Sequence, residues 1–266
     1  MRITGKTSRH CTIPAFTTLK KETPPPDLIL VTVKSYDTQT VARQIQRILH
    51  PHTTVLTLQN GLGNVETLQT TIPRSQLLAG VVTHGALIST PGTVAHTGNG
   101  TIVIGELDGK KSERIIKIAA AFTTCGLPTT ISRNIHKDIW VKTIVNASIN
   151  PVTAFFSCQN GYLLTNPVLR HVIDDICRES TRIAKSDGLP ITAADMIRIT
   201  RTVIRTTAQN SSSMLQSLQH GKPTEIDAMN AALARIGAQH HIDTPLNTLL
   251  VTLIHWKEHQ QNGVAP

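Results

Sequence analysis

The sequence of 266 residues has few cysteines, few aromatic residues and no long apolar run. Its four cysteines stand far apart without a C-x-x-C pair, which argues against a zinc cluster and a dense disulfide framework. A reducing cytoplasm is therefore the simplest compartment. No stretch reaches the roughly 18 apolar residues that span a bilayer, and MRITGKTSRH lacks the apolar region of a signal peptide. We expect no membrane contact and, from the scattered histidines, no metal site.

Acidic residues are also scarce, since 17 Asp and Glu face 26 Lys and Arg for a net charge of +9. A basic chain suggests a nucleic-acid partner, because clustered cations neutralise phosphates. The charges here are scattered, and two Trp, two Tyr and four Phe offer few surfaces on which bases could stack. We expect no nucleic acid, and an anionic small substrate or cofactor accounts for the charge equally well.

The chain changes character near residue 135. Before that point, apolar runs rich in β-branched residues alternate with helical stretches, which predicts an α/β domain over 1–134 built on a parallel sheet. The predicted strands are 27–34, 53–59 and 77–84, and the predicted helices are 38–49 and 64–72. Residues 93–106 resemble a hairpin that turns at Gly98-Asn99-Gly100, and a further helix should start at the N-cap Ser112 and stop at Gly126.

After residue 135 the strand character disappears, and 135–266 is predicted to be all-helical. Helical periodicity covers 136–150, 165–187, 192–219, 222–239 and 244–260. These long helices can pack within one chain or across a homodimer, so both states stay open.

One helical stretch, WVKTIVNASINPVTA (140–154), carries polar residues at intervals of four. Lys142, Asn146 and Asn150 would form one stripe about 12 Å long on a helix whose other positions are apolar. A small polar ligand could lie along that stripe, although a packed, snorkelling lysine is an equally good interpretation. Pro151 should end or kink the helix.

Two further motifs could serve a ligand. In LQNGLGNVE (58–66), Gly61 and Gly63 match the first two glycines of G-x-G-x-x-G, but Glu66 replaces the third, so a tight turn is the simpler interpretation. In SSSMLQSLQHGKPTEIDAMN (211–230), Thr224 should cap a helix with Glu225 in its first turn. That carboxylate could be functional or could merely complement the helix dipole.

In combination, these stretches resemble the ketopantoate reductase family. The matching segments are LVTVKSYDT, LQNGLGNVE, THGA, IWVKTIVNASINPVTAFFSCQNG and SSMLQSLQHGKPTEID. The resemblance implies a Rossmann-like NADP-binding domain followed by a helical domain like the C-terminal domain of 6-phosphogluconate dehydrogenase. It also implies the NADPH-dependent reduction of 2-dehydropantoate (ketopantoate) to (R)-pantoate in pantothenate and coenzyme A biosynthesis.

The resemblance also implies roles for individual residues. Lys142 would be the catalytic proton donor to the ketone oxygen. The residues implied to hold the substrate are Asn60, Asn146, Asn150, Asn160 and Ser213. Those implied to contact NADPH are Lys34, Asn60, Ala86 and Glu225.

The sequence departs from the family at its start, because no strand leading into G-x-G-x-x-G precedes residue 27. We therefore expect a truncated Rossmann-like domain without its first βαβ unit, as a shortened copy or as a chain whose true start lies upstream. Two other functions stay open: a related 2-keto or 3-hydroxy acid dehydrogenase, and a noncatalytic ligand-binding remnant.

Overall fold

A computed structural model of the chain describes residues 1–17 and 25–261. It divides into two compact units, the first formed by Met1–Gln59 and Asn64–Asp138 and the second by Asn60–Gly63 and Ile139–Pro266. Part of the N-terminal segment expected to follow a missing βαβ unit, residues 18–24, lies outside the described residues. No helix in the described ranges is both long and apolar enough to cross a membrane.

The described residues of the first unit form two sheets and three α-helices, which confirms the predicted α/β class. The strands are β1 (Arg2–Gly5), β2 (Arg9–His10), β3 (Leu28–Val31), β4 (Thr54–Thr57), β5 (Leu77–Val82), β6 (Gly85–Thr90), β7 (Thr93–Gly98), β8 (Ile102–Glu106) and β9 (Thr129–Ile131). The helices are α1 (Thr38–Ile48), α2 (Asn64–Gln69) and α3 (Glu113–Thr124). As predicted, Ser112 caps α3, and Gly126 follows its end with a positive φ of 82°.

The larger sheet has the order β3-β4-β5-β8-β9. Strands β3, β4 and β5 are mutually parallel, β8 is antiparallel to β5, and β9 is parallel to β8. All four residues of β4 are buried, as expected of a parallel strand covered on both faces. Leu56 and Leu78 pack with Ile115 of α3 in one apolar cluster. This sheet places the carboxyl ends of β3 and β4 beside each other.

The hairpin predicted for 93–106 is wrong. Strand β7 pairs with β6 and β1 in a second sheet of order β2-β1-β7-β6, whereas β8 pairs with β5 and β9. The turn at Gly92 (φ 79°) forms the real hairpin. Gly100 lies so close to the preceding loop that a Cβ would stand 2.6 Å from the carbonyl oxygen of Thr83. The chain therefore leaves β7 along the end of β5, with no return onto β7.

The second unit is all-helical in the described residues, as predicted. Its helices are α4 (Ile135–Phe156, which begins in the first unit), α5 (Tyr162–Thr165), α6 (Pro167–Ser186), α7 (Ala193–Thr206), α8 (Ser213–Gln219), α9 (Asn230–Gln239) and α10 (Pro245–Gln261), with a 3-10 turn at Ile226–Ala228. The helix predicted for 192–219 is in fact two, because Ser212 caps a new helix by accepting from Leu215 N at 3.1 Å. Similarly, the helix predicted for 222–239 begins only at Asn230. Of the two outcomes expected at Pro151, termination is excluded, since α4 continues to Phe156.

Candidate active site

Helix α4 carries the polar stripe inside a largely buried segment. Lys142 and Asn146 are half-buried, and Asn150 is 6% exposed. Ile144 and Ile149, on the intervening positions, are also buried. A freely solvated helix face is therefore the weaker interpretation of the four-residue spacing, because all three polar groups of the stripe have lost much of their contact with water.

Lys142, the one cation of the three-residue stripe, has a strongly lowered pKa. Burial lowers the pKa of its amine from the ordinary 10.5 to about 8, and the negative charge of Glu225 partly opposes this decrease. Glu225 is itself only 5% exposed. A lysine whose pKa lies near 8 can release a proton close to neutral pH and still be mostly protonated there, as a general acid requires.

Glu225 immediately precedes the 3-10 turn Ile226–Ala228. Two hydrogen bonds of the preceding residue, Thr224, hold the backbone around it. The hydroxyl of Thr224 accepts from Ile226 N at 3.3 Å, so the predicted cap exists but belongs to this turn, not to an α-helix. Thr224 N donates to Glu258 Oε1 on α10 at 2.6 Å. These bonds fix the backbone on both sides of Glu225.

The loop Asn60–Gly63 belongs to the helical unit, although it follows β4 in the chain. Leu62 N donates to the carbonyl oxygen of Ala228 at 2.8 Å. Gly61 has φ 86°, and a Cβ on it would stand 2.8 Å from the Cβ of Ala228. Only glycine allows this approach. The loop carrying Asn60 is thereby docked on the turn that Glu225 begins.

The start of α8 is bonded to the last turns of α4. Asn150 Nδ2 donates to Ser213 Oγ across 3.5 Å, a long hydrogen bond between two residues implied to hold the substrate. One residue earlier, Ser212 Oγ accepts from Thr153 Oγ1 at 2.8 Å. Sequence reasoning missed Ser212 and Thr153, although the run of three serines could have indicated a cap that also binds a neighbouring helix.

Asn160 is 7% exposed, and of its two side-chain amide atoms only the nitrogen has a hydrogen-bond partner among the described residues. Its Nδ2 donates to Thr207 Oγ1 at 2.9 Å, and its backbone N donates to Asn210 O at 3.0 Å. Its Oδ1 is buried and has no hydrogen-bond partner among the described residues. A buried acceptor without a donor is costly, and a hydroxyl group on a ligand would satisfy it.

The candidate cofactor residues Lys34 and Ala86 both lie in the first unit, one in the loop after a strand of the larger sheet and the other on a strand of the second sheet. Lys34 follows β3 and is half-buried, whereas Ala86 is exposed on β6 and pairs with His96. In a parallel sheet, ligands bind at the carboxyl ends of the strands. A cation at the end of β3 therefore suits the phosphates of a nucleotide cofactor, while Ala86 offers only its backbone and one methyl group.

The loops at the carboxyl ends of β3 and β4 are joined by a buried polar network that sequence reasoning missed. Gln59 Nε2 donates to Val33 O at 3.0 Å and to Thr38 Oγ1 at 2.7 Å. Thr38 Oγ1 donates in turn to Asn64 Oδ1 at 2.9 Å. This network holds the backbone on both sides of Lys34, so the cation stands on an ordered loop at the carboxyl end of β3, where a nucleotide phosphate would bind.

Family models match most of the chain: Ketopantoate reductase PanE/ApbA over residues 1–109 and Ketopantoate reductase PanE/ApbA C terminal over 134–258. A 2-dehydropantoate 2-reductase of Halobacterium salinarum is 37% identical over 228 residues, which cover 86% of this chain and 75% of that protein.

Two solved structures are also similar. The PanE/ApbA family ketopantoate reductase of Ralstonia eutropha superposes with a TM-score of 0.88 at 29% identity, covering 98% of this chain and 86% of that one. A D-mandelate dehydrogenase in complex with NADH superposes with a TM-score of 0.84 at 26% identity, covering 88% and 80%. This chain belongs to the ketopantoate reductase family, whose members are nicotinamide-dependent reductases acting on small 2-keto acids.

Proposed function

We propose that this chain catalyses the NADPH-dependent reduction of 2-dehydropantoate to (R)-pantoate, the 2-dehydropantoate 2-reductase reaction of pantothenate and coenzyme A biosynthesis. The observation that carries the proposal is the half-buried Lys142, whose pKa is lowered to about 8 beside Glu225, on a helix that presents Asn146 and Asn150 on its next two turns. A lysine that merely packed its stem would keep its amine in water and its pKa near the ordinary value.

Lys142 is the proposed proton donor. When bound, the reduced nicotinamide supplies the hydride that adds to the carbonyl carbon of the substrate. The ammonium of Lys142 donates a hydrogen bond to the ketone oxygen, stabilises the negative charge that develops there and transfers its proton. Burial makes this proton easier to release, and Glu225 keeps enough of the amine protonated to begin the step.

Amide and hydroxyl groups are proposed to hold the substrate, because they bind hydroxyl and carboxylate groups without adding charge that competes with Lys142. The proposed set is Asn60, Asn146, Asn150, Asn160 and Ser213. The unsatisfied Oδ1 of Asn160 supports its place in this set, since it can accept a hydrogen bond from a substrate hydroxyl.

The residues proposed to contact NADPH are Lys34, Asn60, Ala86 and Glu225. The strongest support is for Lys34, the half-buried cation at the carboxyl end of β3. We propose a cytoplasmic enzyme. A homodimer remains a prediction, which light scattering on the purified chain would test.

A second candidate is the reduction of another 2-keto acid with NADH. It is favoured by the similarity to the D-mandelate dehydrogenase structure, which contains NADH. The two candidates differ in both substrate and cofactor. The first reduces 2-dehydropantoate, which is branched and carries a hydroxyl group, with NADPH. The second reduces another 2-keto acid with NADH, and the keto acid that corresponds to mandelate carries a phenyl ring.

The test compares kcat/KM for 2-dehydropantoate and phenylglyoxylate, each with NADPH and NADH. We expect the highest value for 2-dehydropantoate with NADPH. A higher value for phenylglyoxylate with NADH would transfer the assignment to the second candidate. Binding of 2-dehydropantoate and of the cofactor, each by calorimetry, without turnover of either acid would identify a noncatalytic remnant.

A further inference from the structure

Helix α4 contains a backbone defect close to its polar stripe. Pro151 has no N–H, so the carbonyl of Ala147 loses the donor that a regular helix would supply four residues later. Ala147 is fully buried. An unsatisfied carbonyl there would be costly, because water cannot replace the missing donor.

The missing hydrogen bond comes from the side chain of Asn230, which is distant in sequence. Asn230 Nδ2 donates to Ala147 O at 3.1 Å and to Asn247 Oδ1 at 2.9 Å. Its own Oδ1 is buried without a partner among the described residues. The side chain of Asn230 therefore uses both of its N–H hydrogens and leaves its oxygen unpaired, so its two donated hydrogen bonds must offset the cost of that oxygen.

A chain of buried groups fixes the orientation of Asn230. Asn247 Nδ2 donates to Glu179 Oε1 at 2.7 Å, and the same carboxylate accepts from the backbone N of Asn247 at 2.9 Å and of Leu246 at 3.1 Å in the first turn of α10. A carboxylate can only accept, so Asn247 must present its oxygen to Asn230. Asn230 and Asn247 are fully buried, and Glu179 is 3% exposed.

Asn230 connects this network to the segment that carries Glu225. Asn230 is the first residue of α9 and stands just after the turn Ile226–Ala228, which Glu225 begins. The last residue of that turn, Ala228, also holds the backbone of Leu62. A single side chain therefore ties the helix of Lys142 to the backbone that carries Glu225.

We infer that Asn230 is a positioning residue: its amide ties α4 to the Glu225 segment and so sets how the ammonium of Lys142 faces the carboxylate. The inference rests on the proposed function for its effect on turnover, but the tie itself involves only residues of this chain. Asn230 acts through Lys142 and Glu225 and needs no contact with the substrate.

The test combines Asn230→Leu, which keeps the branched shape of the side chain without donors, with Pro151→Ala, which returns an N–H to the carbonyl of Ala147. We expect Asn230→Leu to lower kcat about 10- to 100-fold, since displacements near 1 Å can have that effect. In the double variant the melting temperature should recover in part while kcat stays low. Recovery of both would mean that Asn230 serves stability alone and would overturn the inference.

Thr181→Val is the matched control, because Thr181 is 2% exposed and donates only within α6, to Cys177 O at 2.7 Å. It should lower the melting temperature and leave kcat near that of the wild type. If Asn230→Leu does not fold, Asn230→Ala, which removes the donors without adding volume, replaces it in the same comparison.

A readout without turnover separates this inference from the proposed function. The pKa of Lys142 is followed by NMR in protein labelled with [ε-13C]lysine, and its signal is assigned by its loss in Lys142→Met. We expect Asn230→Leu to move this pKa by about half a pH unit or more, because both its burial and its distance from Glu225 change. An unchanged pKa would overturn the inference whether or not the wild type reduces 2-dehydropantoate.

Discussion

Replacement of Lys142 by methionine tests two effects of the ammonium group separately: its burial should lower the stability of the fold, and its proton should be needed for turnover. Methionine keeps most of the length of the side chain without the charge. The difference between the ordinary pKa of 10.5 and about 8 in the folded protein corresponds to about 3 kcal/mol, since one pH unit is about 1.4 kcal/mol. We therefore expect Lys142→Met to be more stable than the wild type by up to about 3 kcal/mol at pH 7, or about 5–10 °C in Tm, and to lose roughly 100-fold or more in turnover.

The gain in stability should depend on pH. The unfolded chain keeps the proton on Lys142 up to about pH 10.5, whereas the folded chain releases it above about pH 8. Wild-type stability therefore rises with pH between these values, and the advantage of Lys142→Met should be complete below about pH 8 and vanish above 10.5. Thermal unfolding of both proteins across this range measures the difference.

Lys257→Met is the control for this experiment. Burial also lowers the pKa of Lys257, but its amine donates to Ala154 O at 3.1 Å and to Ser157 Oγ at 3.2 Å at the end of α4. Its removal should lower the melting temperature and spare turnover. A Lys142→Met variant that melts below the wild type at pH 7, or whose advantage is independent of pH, would refute the reasoning about Lys142.

Two further substitutions test the surroundings of the amine. Glu225→Gln removes the charge that raises the pKa of Lys142, so the decline of kcat with pH should move to lower pH; an unchanged kcat profile would contradict the pairing. Gly61→Ala forces a Cβ against Ala228 at positive φ, so it should cost about 1–3 kcal/mol of stability and raise the KM of the substrate. Equal melting curves for this variant and the wild type would show that the loop is not docked as described.

The sequence predicted those helices and strands whose pattern of apolar and polar residues lies within one short segment. The apolar periodicity around Lys142, Asn146 and Asn150 predicted their helix, and α4 extends that prediction at its C-terminal end. The apolar runs before residue 85, rich in β-branched residues, predicted β3, β4 and β5. These elements follow from spacing and burial within a few residues, which a single sequence contains.

Contacts between distant segments could not be predicted in this way. Gly98-Asn99-Gly100 satisfies the local chemistry of a hairpin turn, but β8 pairs with β5 and β9, which are strands distant from that turn in sequence. Likewise, no local pattern indicates that Asn230 replaces the donor lost at Pro151. The docking of the loop at Gly61 on Ala228 depends on the same kind of long-range contact.

The most direct test of the central claim is the rate of NADPH oxidation by the purified chain with saturating 2-dehydropantoate, measured as a function of pH. If Lys142 is the proton donor and chemistry limits the rate, kcat should be high at neutral pH and fall about tenfold per pH unit well above the pKa of this lysine in the complex. A rate that stays constant through this range, or the absence of oxidation while calorimetry shows that both ligands bind, would contradict the account.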